Sequence, residues 1–238
     1  MNICRVNENS VIVYFSDTIS PDTADAIARV IPVIRQELGS CLVDMIPSYT
    51  SILISFDPVV IGLKAFVEEL KQALVVAEHS GPNLTTADVI KLPVYYGPEV
   101  SLDAEEVSAH TGLSFDQIVD IHSSTLYRVY AIGFVPGFAY LGNTDQRIAI
   151  PRKKTPRLKV PQGSLAIAEQ QTAIYPRPSP GGWQIIGRTP VGLIDYQSEN
   201  LTVFKMGTKV KFTPVSKEKY LELGGVFSVQ DHPGMEAV

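Results

Sequence analysis

Between residues 131 and 190 the chain places eight of its 17 prolines, most of them beside a glycine or an arginine. Proline has no amide donor and clashes with the preceding helical turn, so no long helix crosses this region. In a sheet it is confined to edges, strand starts and bulges. What lies between and around the prolines is a series of short β-rich runs: LYRVYAIGF, LKV, SLAIA, TAIY and WQIIG, then LTVF and KVKF. Many short strands punctuated by Pro/Gly turns predict an antiparallel β-barrel or sandwich.

The rest of the chain has another texture. VIVYF (11–15) reads as a strand. SPDTADAIARVIPVIRQEL reads as a helix capped by Ser20, with Pro21 at its first position and Pro32 kinking it. Leu42–Ile46 and Ser51–Phe56 read as strands around a PSYT turn. A second helix is expected from Asp57 as cap and Pro58 as first residue, with an apolar stripe of Val59, Leu63, Phe66, Val67, Leu70 and Leu74. The order ββαββα predicts an α+β unit with its helices on one face. GPNLTTAD (81–88) reads as a linker, which sets domains at 1–85 and 86–238. Beyond it, Ile90–Tyr95 reads as a strand, and Asp103 with Glu106 reads as a capping-box start of a short helix ending at Gly112. A second short helix opens at Ser114, and Ser216–Leu223 is a last one.

The totals exclude several classes. A net charge of −5 argues against nucleic acid as a partner. No apolar run is long enough to cross a membrane, and the N-terminus lacks signal-peptide character. Cys4 and Cys41 read as free thiols, so the expectation is a cytoplasmic protein. Standard catalytic and metal devices (P-loop, GxSxG, HExxH, Cys/His clusters) are missing from the sequence, so no metal and no catalytic residue are assigned. His122 reads as a structural or surface helical histidine, with a proton-shuttle role as the lesser alternative.

Charge is concentrated. Residues 147–188 hold eight basic side chains and one acid, Glu169, for +7; the other 12 basic and 24 acidic residues give −12. Such an island suits an anion or an acidic partner. Proline stiffens the backbone that presents Arg152 and Arg157, and Arg188 lies two residues before Pro190. Arginine's fork matches carboxylate or phosphate. Gly181 and Gly182 allow close backbone approach, and Ser164, Gln171 and Thr172 add neutral donors. GFVPGFAYLG (133–142) reads as the turn after the Leu126–Phe134 strand, shaped by Gly133, Pro136 and Gly137.

GFVPGFAYLG, followed by PRKKTPRLKVPQGSLAIA and QTAIYPRPSPGGWQIIGRTP, resembles the signature of the KipI family, the B component of 5-oxoprolinase, which is related to the allophanate hydrolase subunit 1 domain. PSYTSILISFDP and LPVYYGPE match the same pattern, and the resemblance spans roughly residues 40–215. It implies a small α/β N-terminal domain and a cyclophilin-like antiparallel β-barrel. It also implies a complex with two further components, A and a KipA-like C, that couples ATP cleavage, as shared Mg-ATP, to opening 5-oxo-L-proline into L-glutamate. For this chemistry Arg152, Arg157, Gln171, Thr172, Gly181, Gly182 and Arg188 are the substrate- or anion-binding candidates. The family also implies direct inhibition of a sporulation histidine kinase, KinA. Phe134, Pro136, Phe138, Tyr140 and Trp183 are the partner-binding candidates, since aromatic anchors dominate such surfaces. An interaction protein with no catalytic role is the alternative reading. The sequence departs from the family pattern at Glu169 and Ala173, where glycine is usual, and at the opening NENSVIVYF.

Overall fold

A computed structural model describes residues 1–79, 89–197 and 201–227. The expected linker, 81–88, therefore lies outside the described residues. The chain forms two compact units, Met1–Ala87 and Asp88–Val238.

In the first unit the elements run β1 (Asn2–Asn7), β2 (Ser10–Tyr14), α1 (Pro21–Leu38), β3 (Leu42–Ser48), β4 (Ser51–Phe56) and α2 (Leu63–His79). The antiparallel sheet has the order β1-β2-β4-β3. Val11, Val13, Ile52, Ile54 and Phe56 are fully buried and alternate with more exposed neighbours, as a sheet with one covered face requires. Phe56 stacks on Phe66 of α2 at 4.2 Å between ring centroids. Ser20 caps α1 by accepting from the Thr23 amide at 3.1 Å, and the helix continues through Pro32. The expected start of the second helix is corrected. Asp57 accepts from the Val59 amide through its side chain, and from the Val60 and Ile61 amides through its carbonyl, closing a turn. The β-branched run Val59–Ile61 and then Gly62 are poor helix formers, so α2 begins at Leu63 and Val59 is left exposed.

The second unit runs β5 (Ile90–Val94), α3 (Ala104–Thr111), α4 (Phe115–Ser124), β6 (Tyr127–Ile132), β7 (Ala139–Gly142), a 3-10 turn (Gln146–Ile148), β8 (Arg157–Val160), β9 (Ser164–Ala168), β10 (Gln171–Ile174), β11 (Ser179–Gly181), β12 (Gln184–Arg188), β13 (Lys209–Pro214) and α5 (Lys217–Glu222). Seven strands form one sheet in the order β12-β9-β10-β7-β6-β13-β5. Its ends meet where the Tyr95 amide donates to the Arg188 carbonyl at 2.9 Å and the Arg188 amide returns a bond at 2.8 Å. The sheet is thus a nearly closed barrel. It is mixed, not purely antiparallel: β13 pairs parallel with β5. Those two strands come from opposite ends of the unit, so no hairpin dictates their direction. LTVF, expected as a strand, is bend and coil.

Two apolar clusters flank the barrel wall. Leu165, Ile167, Ile174, Leu141, Val129 and Phe212 belong to the interior cluster. On the outer side, Ala166, Ala168 and Ala173 lie with Phe138, Val160, Tyr175, Trp183 and Ile185. That division explains why SLAIA is buried at every position: the larger side chains fill the barrel, while the alanines leave room for a second layer. The layer includes Val160 of β8, which pairs with β11 as a separate two-stranded ribbon.

Candidate functional site

The hairpin between β6 and β7 is built as GFVPGFAYLG predicts. The Gly133 amide donates to the Phe138 carbonyl and the Phe138 amide to the Val135 carbonyl. Gly137 has φ +82°, and a Cβ there would sit 3.1 Å from the Pro176 Cβ. Phe134 also takes a left-handed conformation, φ +73°, which is unfavourable for a bulky residue. The residue is 59% exposed.

From that tip a ladder of rings runs along the outer wall. Phe134 meets Phe138 at 5.4 Å, and Phe138 meets Tyr140 at 4.9 Å and Trp183 at 5.9 Å, in edge-to-face geometry. Arg152 ends the ladder, its guanidinium 5.6 Å from the Trp183 ring centroid. Of the five partner-binding candidates, Phe134 and Pro136 are exposed, Tyr140 is half-buried, and Phe138 and Trp183 are buried among the rings.

The anion-binding candidates do not converge. Arg157 donates both terminal nitrogens to Asp103, at 2.8 and 2.7 Å. Lys153 donates to the same carboxylate at 2.8 Å and to Glu106 at 2.5 Å. The Ile185 amide completes the set at 2.7 Å. Burial alone pushes the Asp103 carboxyl up, but hydrogen bonds from Arg157, Lys153 and the Ile185 amide outweigh it and hold the group below the usual carboxylate range. The cluster ties the start of α3 to β8 and β12.

Sequence reasoning assigned Asp103 to a helix cap; it sits at that position but makes no side-chain cap bond. The signal available was the basic island itself. With a single acid among eight cations, any carboxylate that pairs with most of them has to come from elsewhere in the chain.

Arg188 is 3% exposed, and its Nη1 donates to the Val226 carbonyl at 3.4 Å. Thr172 faces the barrel interior, where its hydroxyl donates to the Ala166 carbonyl at 3.0 Å. That leaves the oxygen to accept from His122 Nε2 at 2.9 Å, and His122 Nδ1 to accept from the Tyr96 hydroxyl at 3.0 Å. His122 is fully buried, stacked on Phe212, and burial holds its pKa down at about 3. It is a neutral core histidine with both ring nitrogens satisfied. The candidates left with solvent access are Arg152, Gln171, Gly181 and Gly182. Among the described residues no group of three or more His, Cys, Asp or Glu side chains could hold a metal. Nor is any described helix long and apolar enough to cross a membrane.

The sequence matches a known family model. Residues 1–204 fit the carboxyltransferase domain, subdomain C and D. The B component of 5-oxoprolinase from Bacillus subtilis is 32% identical over 224 residues, covering 91% of this chain and 93% of that protein. The chain belongs to the KipI family of 5-oxoprolinase B components. Among solved structures, TTHA0988 superposes with a TM-score of 0.75 at 30% identity over 87% of this chain, which spans 40% of that longer protein. The Kluyveromyces lactis urea carboxylase shares the fold, with a TM-score of 0.70 at 18% identity over 92% of this chain and 22% of its own.

Proposed function

We propose that this chain is the B component of a cytoplasmic, ATP-dependent 5-oxoprolinase that opens 5-oxo-L-proline to L-glutamate with two companion components, A and a KipA-like C. The near end-to-end match to a protein named as the B component of 5-oxoprolinase carries the reading. On this reading Arg152 is the residue of this chain that meets substrate charge. It is exposed, its guanidinium lies over the Trp183 ring, and the adjacent Lys153 amide donates to the Gly182 carbonyl at 2.7 Å. A guanidinium in that position holds a carboxylate or phosphate by paired hydrogen bonds. The described residues fit one end of a phosphate group and not a whole nucleotide, since Arg157 is committed to Asp103 and Arg188 is buried. ATP would supply the phosphoryl group that activates the amide oxygen, from a site completed by the companions. The test is to mix the three purified proteins with Mg-ATP and 5-oxoproline. Glutamate should form only when all are present, and no glutamate above a control lacking this chain refutes the assignment.

A second reading, direct inhibition of a sporulation histidine kinase (KinA), is favoured by one observation: an aromatic ring held exposed in an unfavourable backbone conformation at Phe134. Phe134→Ala should relieve inhibition of kinase autophosphorylation, and unchanged inhibition removes the hairpin tip from the account.

A further inference from the structure

The eight cations of the basic island fall into two sets. Arg147 pairs with Asp145, Lys153 and Arg157 with Asp103, and Arg188 is buried. Arg152, Lys154, Lys159 and Arg177 are exposed. Arg152 stays over Trp183, while Lys154, Lys159 and Arg177 form no ion pair with any described residue.

Those three residues string along the β8–β11 ribbon. Val160 pairs with Ser179 and Arg157 with Gly181, so Lys154 precedes one end, Lys159 lies within β8, and Arg177 precedes β11 at the other end. Lys154 and Lys159 are five residues apart, up to about 17 Å in extended chain. One carboxylate or phosphate cannot bridge that distance; a row of acids can. Between the cations Leu158 is 92% exposed, and Pro178 and Pro180 are exposed. An apolar centre with a charged rim is the anatomy of a protein interface. A nucleic-acid groove would carry stacking aromatics, and residues 154–159 and 177–181 have none.

We propose that the outer face of the β8–β11 ribbon docks an acidic face of a companion protein of the complex; this rests on the 5-oxoprolinase reading. Charge complementarity selects the partner, since the ribbon offers three uncompensated cations in a window with a single acid. In TTHA0988 the matched module is 40% of a longer chain, so that protein carries further polypeptide covalently beside it. A separate chain must hold its companion by surface contact.

The test uses immobilised full-length chain and each purified companion at about 50 mM and about 500 mM salt. K154E/K159E/R177E should slow association about tenfold at low salt, with the difference shrinking at high salt. The neutral K154Q/K159Q/R177Q should fall between that variant and wild type. K64E/K205E/K209E, equal in net charge change and placed on other exposed sites, should stay within about twofold of wild type. Wild-type association by the ribbon variants, or equal slowing by the control, overturns the docking surface and leaves the enzyme assignment standing. Failure of wild type to bind either companion overturns both.

Discussion

Asp103 should be the most costly single carboxylate to remove from the second unit. Its side chain is 2% exposed and accepts four hydrogen bonds, three from cations and one from the Ile185 amide. Breaking a buried pair by deleting one partner costs about 3–5 kcal/mol, because the other charge is stranded. Here the stranded cations are partly wet: the side chains of Arg157 and Lys153 are 24% and 20% exposed. Lys153 also keeps Glu106. Discounting for that rehydration, Asp103→Ala should cost about 2–4 kcal/mol. Asp103→Asn, which retains one acceptor for the Ile185 amide, should cost about 2 kcal/mol.

The assay is urea unfolding followed by Trp183 fluorescence. Trp183 is the only tryptophan, and it lies in the apolar cluster that includes Val160 of the ribbon. The signal therefore reports the second unit. The pH dependence has a fixed sign. The folded carboxyl titrates below its unfolded value of about 3.9, so the wild-type advantage over Asp103→Asn is complete above that pH and disappears as pH falls through the folded pKa. A double-mutant cycle with Arg157→Leu should show coupling of at least about 1 kcal/mol. A loss under about 0.5 kcal/mol for Asp103→Asn at neutral pH would refute the clamp.

Other expectations are simpler. The His122 ring should stay neutral and show no NMR titration between about pH 5 and about pH 8; a midpoint there would contradict its buried chain to Tyr96 and Thr172. Because its folded pKa lies far below the unfolded value of about 6.5, stability should decline as pH drops from that value towards 3. Gly137→Ala forces a left-handed alanine against Pro176 and the Leu193 carbonyl, and should lower stability by about 1–2 kcal/mol in the same fluorescence assay. Glu169→Gly should leave stability unchanged or raise it by up to about 1 kcal/mol, since Glu169 has φ +52° and is exposed; a clear loss would mean its side chain makes contacts that offset the backbone cost.

Features decided by neighbours in sequence were legible. The Ser20 cap of α1, the opening of α4 at Ser114 and the Pro136-Gly137 hairpin each need only a few adjacent residues, and each formed as read. Glu169, noted only as a departure from the family pattern, proves to take a left-handed conformation, φ +52°. Features decided across the fold were not legible. Asp103 and Glu106 have the spacing of a cap, but Lys153 and Arg157, about 50 residues away, take the carboxylates instead. A charge-assisted bond in a buried site outweighs a cap bond at a helix end, so the non-local partner wins. The same displacement moves Arg157 from the substrate list to the scaffold. Arginine beside proline says nothing of what the guanidinium is presented to. In this chain that depends on which cations the acids near α3 reach, and the ones they miss (Lys154, Lys159 and Arg177) remain available for a partner.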